Sequence, residues 1–289
     1  MKKWLLTVFS LCLLSLPSFA LADAAVGDVI MTLGEDLSEE QKNSILEEMS
    51  ATEDALMLTV SNEEEHNYLG NYIPKAQIGS KAISSSKITI GEKGSGLEVT
   101  TNHINWVTDE MYLNALMTAG VKDATIYVTA PFDVSGTAAL TGLIKAYEVS
   151  TDEVISEDVK QLANKELIET AKLGDKIGAE NAAALIAKIK EKVAENGLPK
   201  DEQELRSWIE QAAKDLNITL TEEEINNLIS LFNEMKNLNI NWEQIGDQLT
   251  KAKDQISKFL ESEEGQSLLQ SIKDLFKAIA DSIRSLFQS

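Results

Sequence analysis

The chain has one cysteine, Cys12, two histidines, His66 and His103, and 26 lysines and arginines against 47 aspartates and glutamates. Each shortage excludes some chemistry. Cys12 falls inside an N-terminal stretch with the make-up of a removable leader, so the mature chain has no thiol. Disulfides, thiolate zinc sites and cysteine nucleophiles are thereby excluded. Any imidazole base or ligand must be His66 or His103, and neither sits in His-Glu-x-x-His spacing. The deficit of basic residues repels nucleic acid and anionic polymers, so no nucleic-acid partner is expected. The longest apolar stretch, Trp4 to Leu16, is shorter than the roughly 20 residues of a membrane-spanning helix.

What is present begins with that leader. Lys2 and Lys3 precede the apolar stretch, Pro17 breaks it, and Ala20-Leu21-Ala22 supplies the small residues read by signal peptidase. Cleavage after Ala22 starts the mature protein at Asp23, with 24 basic and 47 acidic residues and a net charge of −23. Ser10 and bulky Leu11 before Cys12 argue against lipoprotein processing. The expected location is outside the cytoplasm, extracellular or associated with the cell wall.

The 43% hydrophobic content is that of a globular protein, and 289 residues suffice for two modest cores. The clearest strand is Ala124 to Thr129, whose unbroken β-branched and aromatic run suits a central strand covered on both faces. Thr108 is placed to cap a helix from Asp109 to Ala119 that stops at Gly120. Ser135 is placed to cap a helix carrying Leu140, Leu143, Ile144 and Tyr147. Towards the N-terminus, Val29 to Leu33, a helix opened by a Ser38/Gln41 capping box, and Ala55 to Val60 read as a βαβ unit. Between Ser61 and Ser86 a short helix and a loop are expected. Lys87 to Ile90 and Leu97 to Thr101 flank GEKGSG and read as a hairpin, which brings the count to about five strands.

After Tyr147 no strand pattern remains, and helices are expected near 157–173, 179–195, 201–216, 221–238, 242–262 and 265–288. The fold class is therefore an α/β (or α+β) domain over residues 23–150 followed by an all-α helical bundle over 151–289, with residues 1–22 the leader. In the last helix, Leu268, Ile272, Leu275, Phe276, Ile279, Ile283, Leu286 and Phe287 form an apolar stripe beside Lys273, Lys277 and Arg284. Packing on the bundle or a partner protein is the favoured role, and peripheral membrane contact is the alternative.

Three phrases, GNYIPKAQIGSKAISSSKITI, GSGLEVTTNHINWVTDEMYLNALMTAGVKDA and APFDVSGTAALTGLIKAYE, resemble secreted proteins of Gram-positive bacteria grouped as domain of unknown function 1002. The resemblance is strong over 24–148 and looser beyond. It implies export and a place at the cell surface or outside the cell, and it carries no activity, catalytic residues or cofactor.

The candidate chemistry is sparse. A hydrolase would need His103 to meet Ser84, Ser85, Ser86 or Ser135 and an acid such as Asp109 or Asp133. Val134-Ser135-Gly136-Thr137 lacks the G-x-S-x-G elbow, and Ser135 reads first as a helix cap, with anion binding at that helix start a further use. His103 reads as a surface or turn residue and His66 as an exposed helix position, while Glu63 to Glu65 and Glu222 to Glu224 read as solvated first-turn charges. GEKGSG is not a phosphate cradle. Asn237, Asn239 and Asn241 have the spacing of calcium-loop ligands, but Trp242 and Gln248 stand where the turn glycine and bidentate glutamate belong, so a helix junction is expected. No metal or cofactor is expected. The reading is a non-enzymatic binding or interaction protein of the cell envelope or extracellular space, meeting a protein or envelope component. The alternative is a hydrolase of an envelope substrate using His103 with a serine or carboxylate, for which Ser135 and Asp133 are the weak candidates.

Overall fold

Strand β1 (Val29–Gly34) leads through Ser38 into helix α1 (Glu39–Glu48), and the chain returns as strand β2 (Leu56–Val60), parallel to β1. The Ser38/Gln41 capping box forms, each side chain bonding the other's backbone N–H. The computed structural model describes residues 25–261 except Asp54, Asp152 and Asn239. The expected leader and the expected last helix, 265–288, lie outside the described residues. Two helices follow, α2 (Asn62–Leu69) and the four-residue α3 (Lys75–Ile78), before strands β3 (Ser85–Ile90) and β4 (Leu97–Thr101). Helix α4 (Asp109–Ala119), capped by Thr108 and closed by left-handed Gly120, joins β4 to β5 (Ala124–Thr129).

The strands form one mixed sheet in the order β2-β1-β3-β5-β4. Four strands run parallel and β3 opposes them, paired antiparallel to β1 and β5. The expected hairpin between β3 and β4 is therefore wrong, because β5 lies between them. Alternation in Leu97, Val99 and Thr101 fixes which face of β4 is buried, not which strand it adjoins. Helix α4 acts as a crossover that lays β4 and β5 side by side in parallel, and β5 then pairs with β3, Ile126 opposite Ile88. GEKGSG thus spans β5 instead of turning tightly. Its link is held by Asp123, whose carbonyl accepts from Gly91 N at 2.7 Å and whose carboxylate accepts from Gly96 N at 2.9 Å.

Strand β5 is also not covered on both faces. Ile126 and Val128 are buried, whereas Thr125 is exposed and Tyr127 half-buried. Helices α4 and α5 (Thr137–Thr151) cover the Ile126 face, while α1 packs Ile45 and Met49 with Met31 over the β1 part of the other face. Among the described residues, that second face stays exposed around Glu98, Thr100 and Thr125, while α1 reaches the end of β5, where Thr129 is buried and bonded to Glu48. Beyond α5 every described element is helical: α6 (Glu157–Ile177), α7 (Ala179–Asn196), α8 (Glu202–Asp215), α9 (Glu222–Asn237) and α10 (Trp242–Glu261). The expected stripes face inward, with Leu205 and Ile209 meeting Leu228, Ile229 and Phe232 in one cluster. Asn241 Oδ1 accepts from Gln244 N at 3.0 Å at the start of α10, as a helix junction requires. The helical part also shares the sheet's core: Ala163 and Leu167 of α6, Ala183 of α7 and Ile245 and Leu249 of α10 are buried with Met111, Leu116 and Ile126.

Candidate functional site

The parallel strands β4 and β5 end together, and the segments that leave them are zipped to each other. His103 O accepts from Val134 N at 3.0 Å, Val134 O from Asn105 N at 2.9 Å, and Ser135 O from Val107 N at 3.2 Å. The turn puts His103 in the left-handed region, with φ at 56°, a conformation uncommon for a residue with a side chain. It aims the ring at Asp133, and His103 Nδ1 lies 3.0 Å from Asp133 Oδ1. Two sequence candidates are thus brought together on an exposed turn, the His103 side chain 46% and the Asp133 side chain 70% exposed.

Beside this pair stands a carboxylate that sequence reasoning missed. Glu48, the last residue of α1, accepts through Oε1 from Tyr127 Oη at 2.7 Å, Thr129 Oγ1 at 2.8 Å and Asn102 Nδ2 at 2.9 Å. Burial pushes its carboxyl up, but these three bonds and the nearby His103 outweigh it and hold the group below the ordinary glutamate range. Tyr127 moves the other way, its phenol pushed up by burial and then by the Glu48 charge. The only sequence signal was that Tyr127 and Thr129 alternate onto one face of β5. Nothing local pointed to Glu48, because the contact spans about 80 residues, 79 to Tyr127 and 81 to Thr129.

The serine candidates are not joined to His103. Ser84, Ser85 and Ser86 are buried in or beside β3, and the Ser85 hydroxyl accepts from Gly34 N at 3.2 Å and donates to Ile83 O. Ser135 does not cap α5, which starts two residues later at Thr137; its hydroxyl lies 3.2 Å from Thr137 Oγ1. Gly136 intervenes with φ at 90°. A β-carbon there would sit 2.5 Å from both Ile104 Cγ2 and Tyr112 Oη. Tyr112 donates its hydroxyl to Gly136 O, so glycine allows the backbone to approach closely as well as to turn. Asp109 sits in the first turn of α4, its carboxyl pushed up by burial.

Thr137 donates to Glu65 Oε1 at 2.6 Å, and Glu65 is 2% exposed. Glu65 is therefore not a solvated first-turn charge, and Glu224, at 7% exposure, is not one either. Burial raises the Glu65 carboxyl to about 7 against the hydrogen bonds from Thr137 and Asn62. His66 departs from expectation too: it is half-buried, and its Nε2 lies 2.9 Å from Gly79 O. Among the described residues, no three His, Cys, Asp or Glu side chains gather as metal ligands.

The family model described as a protein of unknown function, DUF1002, matches residues 33–252, and those residues contain this whole arrangement. The chain belongs to the DUF1002 family. It is 61% identical over 290 residues to the uncharacterized protein YpuA of Bacillus subtilis (strain 168), with all of both chains covered. No solved structure matches it. The resemblance seen in the three phrases is therefore membership, and it extends through α6 to α9 into α10.

Proposed function

We propose that this family member is an exported, non-enzymatic binding or interaction protein of the cell envelope or extracellular space, an α/β domain followed by a helical bundle, and that it meets a protein or envelope component through the open part of its sheet. The observation that carries the reading is this face. Register places Glu98 beside Thr125 and Thr89, and Thr100 beside Tyr127 and Lys87, in two cross-strand rows. Glu98, Thr100 and Thr125 are exposed, and the row through Tyr127 runs on to Glu48 and Asn102 at the strand ends. Side chains standing on a paired sheet are held at fixed spacing, so a partner meets a pre-organised surface. Export is supported by the charged start, apolar stretch and Ala20-Leu21-Ala22 of the leader.

The alternative is a hydrolase. One observation favours it: Asp133 orients His103 as an acid orients a general base. Against it, Ser84, Ser85 and Ser86 are buried at β3 and the Ser135 hydroxyl meets Thr137, so the attacking group would have to be a water activated by His103.

The test compares the double variant T100R/T125R with H103A for retention in the envelope fraction of producing cells. The two arginines crowd the face without touching the core and are expected to release the protein into the medium, while H103A is retained normally. Retention unaffected by T100R/T125R sinks the binding reading. Loss of the biological phenotype in H103A at unchanged melting temperature favours the hydrolase, since a general base contributes about 10²–10⁴-fold.

A further inference from the structure

Helices α2, α5 and α6 meet around a cleft of about 230 Å³. Its charged rim is already neutral: Lys145 Nζ lies 2.7 Å from Glu64 Oε1, and Lys160 Nζ lies 2.8 Å from Glu148 Oε2. An ionic ligand would have to break one of these pairs, so the cleft disfavours net charge. The floor is different. Thr141 is 5% exposed and Asn164 wholly buried, and both line the cleft. Among the described residues, neither Thr141 Oγ1 nor Asn164 Oδ1 has a hydrogen-bond partner.

A helical threonine hydroxyl ordinarily bonds the carbonyl one turn back, and Asn164 does use its Nδ2 in that way, on Lys160 O at 2.9 Å. The free Thr141 hydroxyl is thus an exception to helix habit, and a buried oxygen left unpaired, on Thr141 or on Asn164, costs more than an ordinary hydrogen bond returns. Their demand is specific, because Asn164 Oδ1 only accepts whereas Thr141 both donates and accepts. Ligand hydroxyls satisfy both. Ile144 and the Tyr68 ring add apolar lining, and the Tyr68 hydroxyl donates to Glu157 Oε2 at 3.3 Å, which steadies the ring. At about 30 Å³ per water the space equals about eight waters, or one small ring with its hydroxyls.

We infer that this cleft binds one small, uncharged polyhydroxylated molecule of monosaccharide size, whose hydroxyls meet Thr141 and Asn164. The site is separate from the open sheet face and does not rest on the reading of that face.

The test titrates the full ¹⁵N-labelled chain separately with D-glucose, D-ribose and glycerol, and with L-alanine as a zwitterionic comparator. Concentrations reach about 50 mM, above the millimolar range in which weak specific sites saturate. One polyol is expected to give saturable shifts centred on the amides of Thr141, Ile144 and Asn164. T141V removes the free hydroxyl and is expected to weaken that binding about tenfold, with the melting temperature of the unliganded protein unchanged or raised. Y68L, at the half-buried rim, is the second variant and is expected to weaken binding with folding intact. The inference is overturned if no polyol gives saturable shifts, if L-alanine saturates the site instead, or if T141V and Y68L bind as well as the parent. A lowered melting temperature for T141V without polyol binding assigns the two oxygens to solvent alone, which also overturns it.

Discussion

Glu65 is where a single side chain most changes how the protein responds to pH. Its folded value of about 7 lies above the ordinary 4.5, so between those values the folded state holds a proton that the unfolded state has released. Stability contributed by this group is therefore full below about pH 4.5 and declines as pH rises towards 7. Replacing Glu65 with Gln keeps an acceptor for Thr137 and removes the titration. E65Q is expected to gain on the parent as pH rises, reaching at most about 3 kcal/mol above pH 7, read from urea midpoints between pH 4.5 and 8. Parallel curves for the two proteins would show that Glu65 is not the titrating group. The burial of Glu65 was legible in part: Leu69, four residues on, is the fully buried apolar residue of α2, and i and i+4 share a face. The run Glu63-Glu64-Glu65 obscured it, because all three residues read alike as first-turn charges. Only Glu64 takes part in the capping box with Ser61. Gly136 makes a simpler case. G136A places a β-carbon against Ile104 and Tyr112 at a positive φ, so strain and overpacking add, and a loss of about 2–4 kcal/mol in chemical denaturation is expected. A loss under about 0.5 kcal/mol would mean that the turn relaxes freely.

At the scale of elements, the bounds of α4 followed from local chemistry and the strand neighbours did not. Thr108 and Gly120 delimit α4 where the sequence placed its ends, since a cap and a left-handed stop act within one turn. The order β3-β5-β4 depends on which long-range pairing wins, and that is written in no window of ten residues. The same limit hid the junction of α4, α6 and α7. Lys190 of α7 and Glu166 of α6 are both buried, their charged atoms 2.6 Å apart, and Lys190 Nζ also donates to Asn114 O and Thr118 Oγ1 of α4, each at 2.6 Å. Thr118 in turn donates to Glu166. Burial pushes the Glu166 carboxyl up and the Lys190 amine down, while each charge opposes the shift of the other. No local pattern marks either residue, because each is one of several charges on its own helix and the pairing joins two different elements. Removing one partner strands the other, so K190M and E166L are each expected to cost about 3–5 kcal/mol. The double variant is expected to recover most of that loss, because two apolar side chains of similar size need no counter-charge. Additive losses in a double-mutant cycle would show that the two residues act independently.

For the molecule as a whole, the question is whether the change of character after Tyr147 also separates two folding units. The described helical part has a cluster of its own around Ile186, Ile209 and Phe232. Yet Leu167, Ala183, Ile245 and Leu249 are buried with the sheet's Ile88 and Ile126, and the Glu166–Lys190 pair is completed by α4. Two more ties cross the same seam, from Trp106 Nε1 to Asp175 Oδ1 at 3.0 Å and from Lys172 Nζ to Tyr72 O at 2.8 Å. Losing either part would expose this shared apolar surface, at about 25 cal/mol for each Å² returned to water. Melting of the two parts is therefore expected to be coupled. Trp106 reports on the sheet side and Trp208 on α8, so single-tryptophan variants retaining one or the other can be unfolded in urea and followed by fluorescence. Coincident midpoints and slopes are the expected result. If the Trp208 transition comes first while Trp106 holds its folded signal, the cluster around Ile209 unfolds independently, and the shared core carries too little of the stability to bind the two parts into one unit.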